Sequence, residues 1–170
     1  MSAVLVVVGD GPDGAEVLLT RRSESLTTHR GEISFPGGRV DLGETFEAAA
    51  IREAHEEVAL DPAVVQLGGR LDPISTIATR SFIVPVVGTV ESRPDLSPAE
   101  HEVDRIIWVP LAELTRADTF HEEIWPLADT HRPMFFFELD DETIWGATAR
   151  ILHQLLRVAL GVDGPEPPAL

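Results

Sequence analysis

The chain has 170 residues, with 13 basic and 29 acidic side chains and a formal net charge of −16 at pH 7. This length predicts one domain with a full hydrophobic core, and the acidic balance argues against DNA or RNA as a partner, because phosphate backbones need basic surface. Disulfides and zinc–thiolate sites are excluded because the sequence has no cysteine. No apolar run approaches a membrane span and the first residues lack a signal peptide, which predicts a cytoplasmic protein that contacts no membrane.

The beginning of the chain predicts a β-hairpin followed by a basic loop. Residues 3–8 and 16–21 have the composition of strands, and residues 9–14 are rich in Gly, Pro and Asp, which form turns. Residues 22–34 are polar and carry Arg22, His29 and Arg30 in an otherwise acidic molecule. We expect this loop either to contact anionic groups of a ligand or to neutralise nearby acidic residues.

A short acidic helix follows a Gly-rich turn between residues 34 and 60. On a helical wheel Glu53, Glu56 and Glu57 share one face, while Ala50, Ala54, Val58 and Ile51 form a neighbouring apolar stripe. Like charges at these spacings destabilise a helix, so we expect a positive group to offset them. Carboxylate oxygens on a rigid helix suit Mg2+ or Mn2+, although a solvated acidic face is the alternative.

The spacing of these residues resembles the signature of the Nudix hydrolases, which cleave nucleoside diphosphates linked to another group. Gly38 is followed after five residues by Glu44, and after seven more by Arg52-Glu53-Ala54-His55-Glu56-Glu57-Val58-Ala59-Leu60. The signature has Gly where this chain has Ala59, and Ala would cost about 1 kcal/mol if it ended the helix in a left-handed conformation. The resemblance implies an α/β fold in which a mixed β-sheet is sandwiched between helices.

Within this resemblance, Glu53 and Glu57 are the first-choice metal ligands and Glu56 is the third. Glycine lets the main chain approach closely, and the resemblance implies that a carbonyl oxygen of Gly37 or Gly38 completes the metal shell.

Other carboxylates have supporting or proton-transfer roles. The resemblance implies that Glu44 and Arg52 pair and orient the catalytic carboxylates, and a simple ion pair between turn and helix is the alternative. The general base stays open between Glu53, Glu56 and an acid on a later loop. Glu102 is the best match for that acid and Glu100 the second, and either could instead be an ordinary surface acid.

A narrower resemblance points to the coenzyme A diphosphatase branch of the same family. It rests on Leu18-Leu19-Thr20, Arg22-Ser23, Gly31 and Phe35-Pro36-Gly37-Gly38, and on Trp145 to Leu152 near the end of the chain. The branch motif has Arg where this chain has Thr27, and Arg22 or Arg30 could compensate. The predicted substrate contacts are Arg22, His29, Arg30, Gly37, Gly38 and Arg39.

The branch resemblance implies hydrolysis of coenzyme A or acyl-coenzyme A to adenosine 3',5'-bisphosphate and a 4'-phosphopantetheine compound. Two alternatives stay open. The first is hydrolysis of another nucleotide diphosphate, such as ADP-ribose or a dinucleotide. The second is a non-catalytic nucleotide-binding module, which the retained acids of the helix disfavour.

The remaining chain alternates strands and helices within one domain predicted over residues 1–162. Pro85 favours an edge or a bulge for its strand, and the last helix is expected to turn Ile151, Leu155, Val158 and Ala159 toward the core. Residues 120–132 are predicted to be irregular and 163–170 to be a disordered tail, and a homodimer stays open. The predicted strands are 64–71, 80–91, 105–109 and 134–139, and the predicted helices are 110–115 and 144–160.

Overall fold

A computed structural model describes residues 1–75, 82–127 and 130–161. Within these residues the chain forms a large mixed sheet, a small antiparallel sheet and three α-helices. The strands are β1 (Ser2–Gly11), β2 (Gly14–Arg22), β3 (Ile33–Ser34), β4 (Gly37–Arg39), β5 (Gln66–Arg70), β6 (Ile74–Ser75), β7 (Phe82–Val90), β8 (Val103–Pro110), β9 (Phe120–Leu127), β10 (Thr130–Glu138) and β11 (Thr143–Trp145). The helices are α1 (Phe46–Val58), α2 (Leu111–Leu114) and α3 (Gly146–Ala159), and Pro62–Val64 forms a 3₁₀ turn.

The large sheet is built around β1. The predicted hairpin of β1 and β2 is confirmed, with Gly11 opposite Gly14, and β7 pairs with β1 in parallel on the other side. The order β3-β2-β1-β7-β5 is extended by β4 beside β1, β6 beside β7 and β8 beside β2. The small sheet has the order β11-β10-β9.

Helices cover both faces of the large sheet, which confirms the predicted sandwich. Alternate residues of β1 point to opposite faces, as the period of a strand requires. Leu5 and Val7 join the core cluster under α1, whereas Val6 joins the cluster under α3. The cluster under α3 also contains Phe135 and Phe137 of the small sheet, so the two sheets share one core.

Of the two alternatives predicted for the strand around Pro85, the edge is wrong, and the bulge is found in the partner strand β5 rather than at Pro85 itself. β7 has β1 on one side and β5 and β6 on the other. The carbonyl oxygen of Pro85 accepts the N–H of Leu71 at 3.0 Å, so the proline nitrogen also faces that side. β5 is paired with β7 up to Arg70, and β6 is paired with β7 from Ile74 onward. The N–H that proline lacks therefore falls opposite the gap between β5 and β6.

The prediction that residues 120–132 are irregular is also wrong. They lie largely in β9 and in the first part of β10, which form a hairpin with Phe120 opposite Phe137. Most side chains of β9 are exposed, and charges and prolines conceal the alternation that would have marked a strand.

The last helix is shorter than predicted, because Ile144 belongs to β11 and α3 starts at Gly146. Ile151 and Leu155 are buried as expected, but Val158 is 71% exposed and Ala159 is also exposed, so the prediction that these two residues face the core is wrong. The predicted tail at 163–170 lies outside the described residues. Among the described helices none has the length and apolar character needed to cross a membrane.

Candidate active site on the acidic helix

Both ends of α1 are fixed by hydrogen bonds to cap residues. The Thr45 side chain accepts the N–H of Ala48 at 3.2 Å, which satisfies one of the free N–H groups of the first turn. Ala59 ends the helix in the left-handed region at φ 55° and ψ 30°, and its N–H donates to the carbonyl of His55. The helix end thus has the strained geometry in which glycine is favoured.

The apolar stripe of α1 is buried against the sheet, and this anchors the acidic face. Ala50, Ala54 and Val58 have no exposed surface. Glu57 is next to this stripe and only 4% exposed, while the side chain of Glu56 is 56% exposed. The helical wheel indicates this difference in exposure. Glu57 lies about 40° from Glu53 on the side of the stripe, whereas Glu56 lies about 60° from Glu53 on the other side.

Glu57 is a buried carboxyl group under the Gly-rich turn. Its Oε2 accepts the N–H of Gly37 at 3.1 Å. Burial raises the pKa of Glu57 to about 7, against the opposing effects of the Gly37 hydrogen bond and the nearby Arg22 charge. The protein thus keeps one carboxyl group in a place where its negative charge is poorly compensated.

Glu53 lies directly against the main chain of Gly38. A Cβ atom at residue 38 would be 2.5 Å from the carboxyl carbon of Glu53, so a side chain there would displace the carboxylate from this position. Burial raises the pKa of Glu53 as well, while the bond from Arg52 acts in the opposite direction. Gly38 thus allows main chain and carboxylate to meet in one small volume.

Arg52 supplies the positive charge that the acidic helix was expected to need. Its Nε and Nη2 donate to the two oxygens of Glu44, each at 3.0 Å. Its Nη1 donates to Glu53 at 3.0 Å and to Glu56 at 3.2 Å, and Nη2 also reaches the carbonyl oxygen of Arg39 at 3.0 Å. The fork from Arg52 holds the pKa of Glu44 below its usual range.

The basic loop brings one of its cations close to the acids. The charge of Arg22 acts on Glu57, and Arg22 Nε is buried without a hydrogen-bond partner in the described part of the chain. The other two candidates interact with their own loop. His29 is exposed and lies 2.8 Å from Glu32, and Arg30 donates to the carbonyl of Leu26.

A second loop, residues 97–102, packs against the end of α1 through main-chain bonds. Ala99 N donates to the carbonyl of Glu57 at 2.8 Å, and Ser97 N donates to that of Val58 at 3.0 Å. The carbonyl of Glu102 accepts Ser23 N at 2.8 Å, which joins this loop to the basic loop. The Glu102 charge contributes to the raised pKa of both Glu53 and Glu57, while its side chain is 43% exposed and lies 3.2 Å from His101 Nε2.

The donor set fits a hard divalent cation in its chemistry, but the side chains are not arranged around one. Among residues 1–75, 82–127 and 130–161, no three acidic or His side chains converge at a spacing suited to a metal ion. Arg52 holds Glu53 and Glu56, and Gly37 N–H holds one oxygen of Glu57. Carboxylates beside a glycine main chain are nonetheless the ligands that Mg2+ and Mn2+ prefer. Each of these bonds engages one oxygen of its carboxylate, so the second oxygen would have to serve as the metal ligand.

Comparisons with known proteins agree with this arrangement. A sequence model of the family described as NUDIX domain matches residues 1–130. The protein called uncharacterized Nudix hydrolase NudL from Escherichia coli O7:K1 is 36% identical over 156 residues, which are 91% of this chain and 80% of the relative. Its namesake from Citrobacter koseri is 37% identical over 141 residues, or 82% and 72%. In structure, the M. smegmatis Nudix hydrolase RenU superposes with a TM-score of 0.66 at 20% identity and covers 98% of this chain and 89% of its own.

Proposed function

Because this chain belongs to the Nudix hydrolase family, whose members act on diphosphate bonds, we propose that it hydrolyses the diphosphate of coenzyme A or its acyl derivatives. The products are adenosine 3',5'-bisphosphate and 4'-phosphopantetheine or its acyl form. Enzymes of this family generally depend on a divalent metal, and the proposal takes Mg2+ or Mn2+ as the ion.

The observation that carries the substrate proposal is the meeting of the branch-motif residues at Glu57. Arg22 and Gly31 are joined by a bond from Gly31 N to the carbonyl of Arg22 at 3.0 Å. Arg22 acts electrostatically on Glu57, and Gly37 donates its N–H to the same carboxyl group. Two residues that resemble the coenzyme A branch, Arg22 and Gly37, therefore act on the acid that is central to the chemistry, and this supports one function for both motifs.

The protein's own residues divide the work of the reaction. Glu53, Glu56, Glu57 and the main chain of Gly38 would hold the metal, which when bound neutralises phosphoryl charge and lowers the pKa of a water. Arg52 orients Glu53 and Glu56.

The substrate and the transferred proton need other groups. Arg22 has a buried Nε with no hydrogen-bond partner among the described residues, and it serves as the phosphate contact in the proposal. Glu102 accepts the proton from the attacking water, because it is the acid that the second loop brings to this face.

The alternative substrate is another nucleotide diphosphate, such as ADP-ribose or a dinucleotide. Thr27 favours this alternative, since it is an exposed residue that replaces the Arg of the branch motif. The test is to incubate the protein with coenzyme A, ADP-ribose, NADH and nucleoside triphosphates, with and without Mg2+, and to identify the products by chromatography.

We expect Mg2+-dependent release of adenosine 3',5'-bisphosphate from coenzyme A. Strong turnover of ADP-ribose with none of coenzyme A would eliminate the branch assignment. Nucleotide binding without any turnover would favour the non-catalytic module.

A further inference from the structure

The strand β8 carries a bulge where it passes the beginning of the basic loop. Arg21 of β2 lies opposite Arg105, but the next residue, Arg22, lies opposite Val103, so Asp104 is an extra residue that the pairing of the two strands passes over. A bulge re-aims the side chains beside it, and bulges are common next to active sites. This one places Asp104 at the point where Arg22 leaves the sheet.

Asp104 uses its side chain to hold the main chain of the basic loop. Its Oδ2 accepts the N–H of Glu24 at 3.0 Å, although the two residues are 80 apart in the chain. The neighbouring N–H of Ser23 donates to the carbonyl oxygen of Glu102 at 2.8 Å. Two consecutive N–H groups therefore fasten the basic loop, directly after Arg22, to the end of the second loop and the start of β8.

The position of Arg22 depends on main-chain bonds of this kind. Its N–H donates to the carbonyl oxygen of Glu32 and its own carbonyl oxygen accepts the N–H of Gly31, both at 3.0 Å, so the two ends of the basic loop are paired here. Arg22 Nε is buried and has no hydrogen-bond partner among the described residues. The path of the main chain therefore has to place the guanidinium near Glu57, on which its charge acts.

We propose that Asp104 is a positioning residue, which holds the basic loop so that Arg22 meets the diphosphate of the substrate beside Glu57. This inference rests on the proposed function in one respect, since it takes Arg22 as the phosphate contact. Asp104 is exposed and acts through the N–H of Glu24 rather than on the substrate. Bonds from a guanidinium to a phosphate depend on geometry, so the position of the loop decides whether Arg22 makes them.

Steady-state kinetics of the full chain in Mg2+ test this assignment on the nucleotide diphosphate that the protein hydrolyses best. Asp104→Ala removes the acceptor, whereas Asp104→Asn keeps a side-chain oxygen that can accept the N–H of Glu24. Asp61→Ala is the matched control, because Asp61 is also an exposed acid whose side chain accepts a main-chain N–H, that of Ala63 at 2.9 Å. A thermal melt of each variant checks folding.

We expect Asp104→Ala to raise the KM at least ~10-fold, because the substrate loses a charge-assisted hydrogen bond. The kcat should change by less than about 2-fold, since Arg22 binds the phosphate before the reaction as well as during it. Asp104→Asn should restore most of the wild-type KM, and Asp61→Ala should leave it unchanged. In an Arg22→Met background, Asp104→Ala should raise the KM no further, because Asp104 acts through Arg22.

Four results would overturn the inference. They are a wild-type KM in Asp104→Ala, an equal loss in Asp104→Asn, an equal loss in Asp61→Ala, and additive effects of Asp104→Ala and Arg22→Met in the double variant. If Asp104→Ala does not fold, Asp104→Val decides the same points, because valine has a similar shape, suits a strand and offers no acceptor.

The choice of substrate separates this inference from the substrate proposal. If the protein hydrolyses ADP-ribose but not coenzyme A, the same variants are measured with ADP-ribose, and the coupling of Asp104 to Arg22 stands while the branch assignment fails. Turnover of coenzyme A with a wild-type KM in Asp104→Ala would give the reverse result. A protein that hydrolyses none of the nucleotides would contradict both.

Discussion

Glu57 should make the metal-free protein less stable as the pH rises. Its pKa is about 7 in the fold and 4.5 in a solvated reference state. Between these values the folded state binds more protons than the unfolded state, so the free energy of unfolding decreases as the pH rises through this window. This difference in the pKa of Glu57 corresponds to about 3 kcal/mol in the free energy of unfolding. That contribution is fully lost above pH 7.

Glu57→Gln isolates this effect, because glutamine has nearly the same shape, stays neutral and can still accept the N–H of Gly37. In chelator, we expect the variant to be more stable than wild type by about 3 kcal/mol at pH 8 and by about 1 kcal/mol at pH 5. Turnover in Mg2+ should fall at least ~100-fold, because a group that carries catalytic charge is lost. Urea unfolding at both pH values measures the stability, and Glu56→Gln on the exposed side of α1 is the matched control.

The comparison with wild type at each pH removes the contributions of other groups. Burial lowers the pKa of His153, for example, so its own contribution to stability rises with pH and has the opposite sign. Equal stability of wild type and Glu57→Gln at pH 8 would refute the reasoning that burial of this carboxylate is costly. Addition of Mg2+ at pH 8 should stabilise the wild type and leave Glu57→Gln nearly unchanged.

Two further substitutions test the scaffold of the site. Ala59→Gly should raise the free energy of unfolding by about 1 kcal/mol, because residue 59 has a left-handed conformation, whereas Ala48→Gly on the exposed face of α1 should lower it by about the same amount in urea titrations. Arg52→Lys should reduce kcat about 10- to 100-fold, since lysine cannot reproduce the fork that holds Glu44, Glu53 and Glu56. Arg70→Lys, which replaces a similar fork onto Glu47 at the start of α1, should leave kcat nearly unchanged, and equal losses in both variants would contradict a specific role for Arg52.

The sequence could predict those parts of the site that depend on local periodicity. One helix carries Glu53, Glu56 and Glu57, so their shared face follows from the wheel alone. The same wheel indicates that Glu57 is buried, because it is the acid nearest the apolar stripe. The hydrogen bond from Gly37 N–H to Glu57 joins residues that are 20 apart in the chain. Helical periodicity does not reach across such a distance, so the sequence could not predict this contact.

Long-range contacts explain what could not be predicted. Ala99 meets the main chain of Glu57 through a loop that has no periodic pattern, and only the packed structure brings it there. β9 was missed because its partner β10 supplies the pairing, while its own side chains are mostly exposed and polar. An exposed strand of this kind is specified by cross-strand neighbours, such as His121 and Phe136, which a reading of one segment cannot reveal.

Charge balance at the site links these observations to the reaction. Five carboxylates (Glu44, Glu53, Glu56, Glu57 and Glu102) face two guanidinium groups (Arg22 and Arg52), so the fully ionised cluster is negative. A diphosphate is an anion too, and such a cluster would repel it. Burial is the main cause of the raised pKa of Glu57, and the charges of Glu102 and Glu53 add to it, so a proton there takes the place of a missing positive charge. A divalent cation would remove both the repulsion and the need for that proton, and this is why one buried carboxyl group can weaken the metal-free fold and still serve the enzyme.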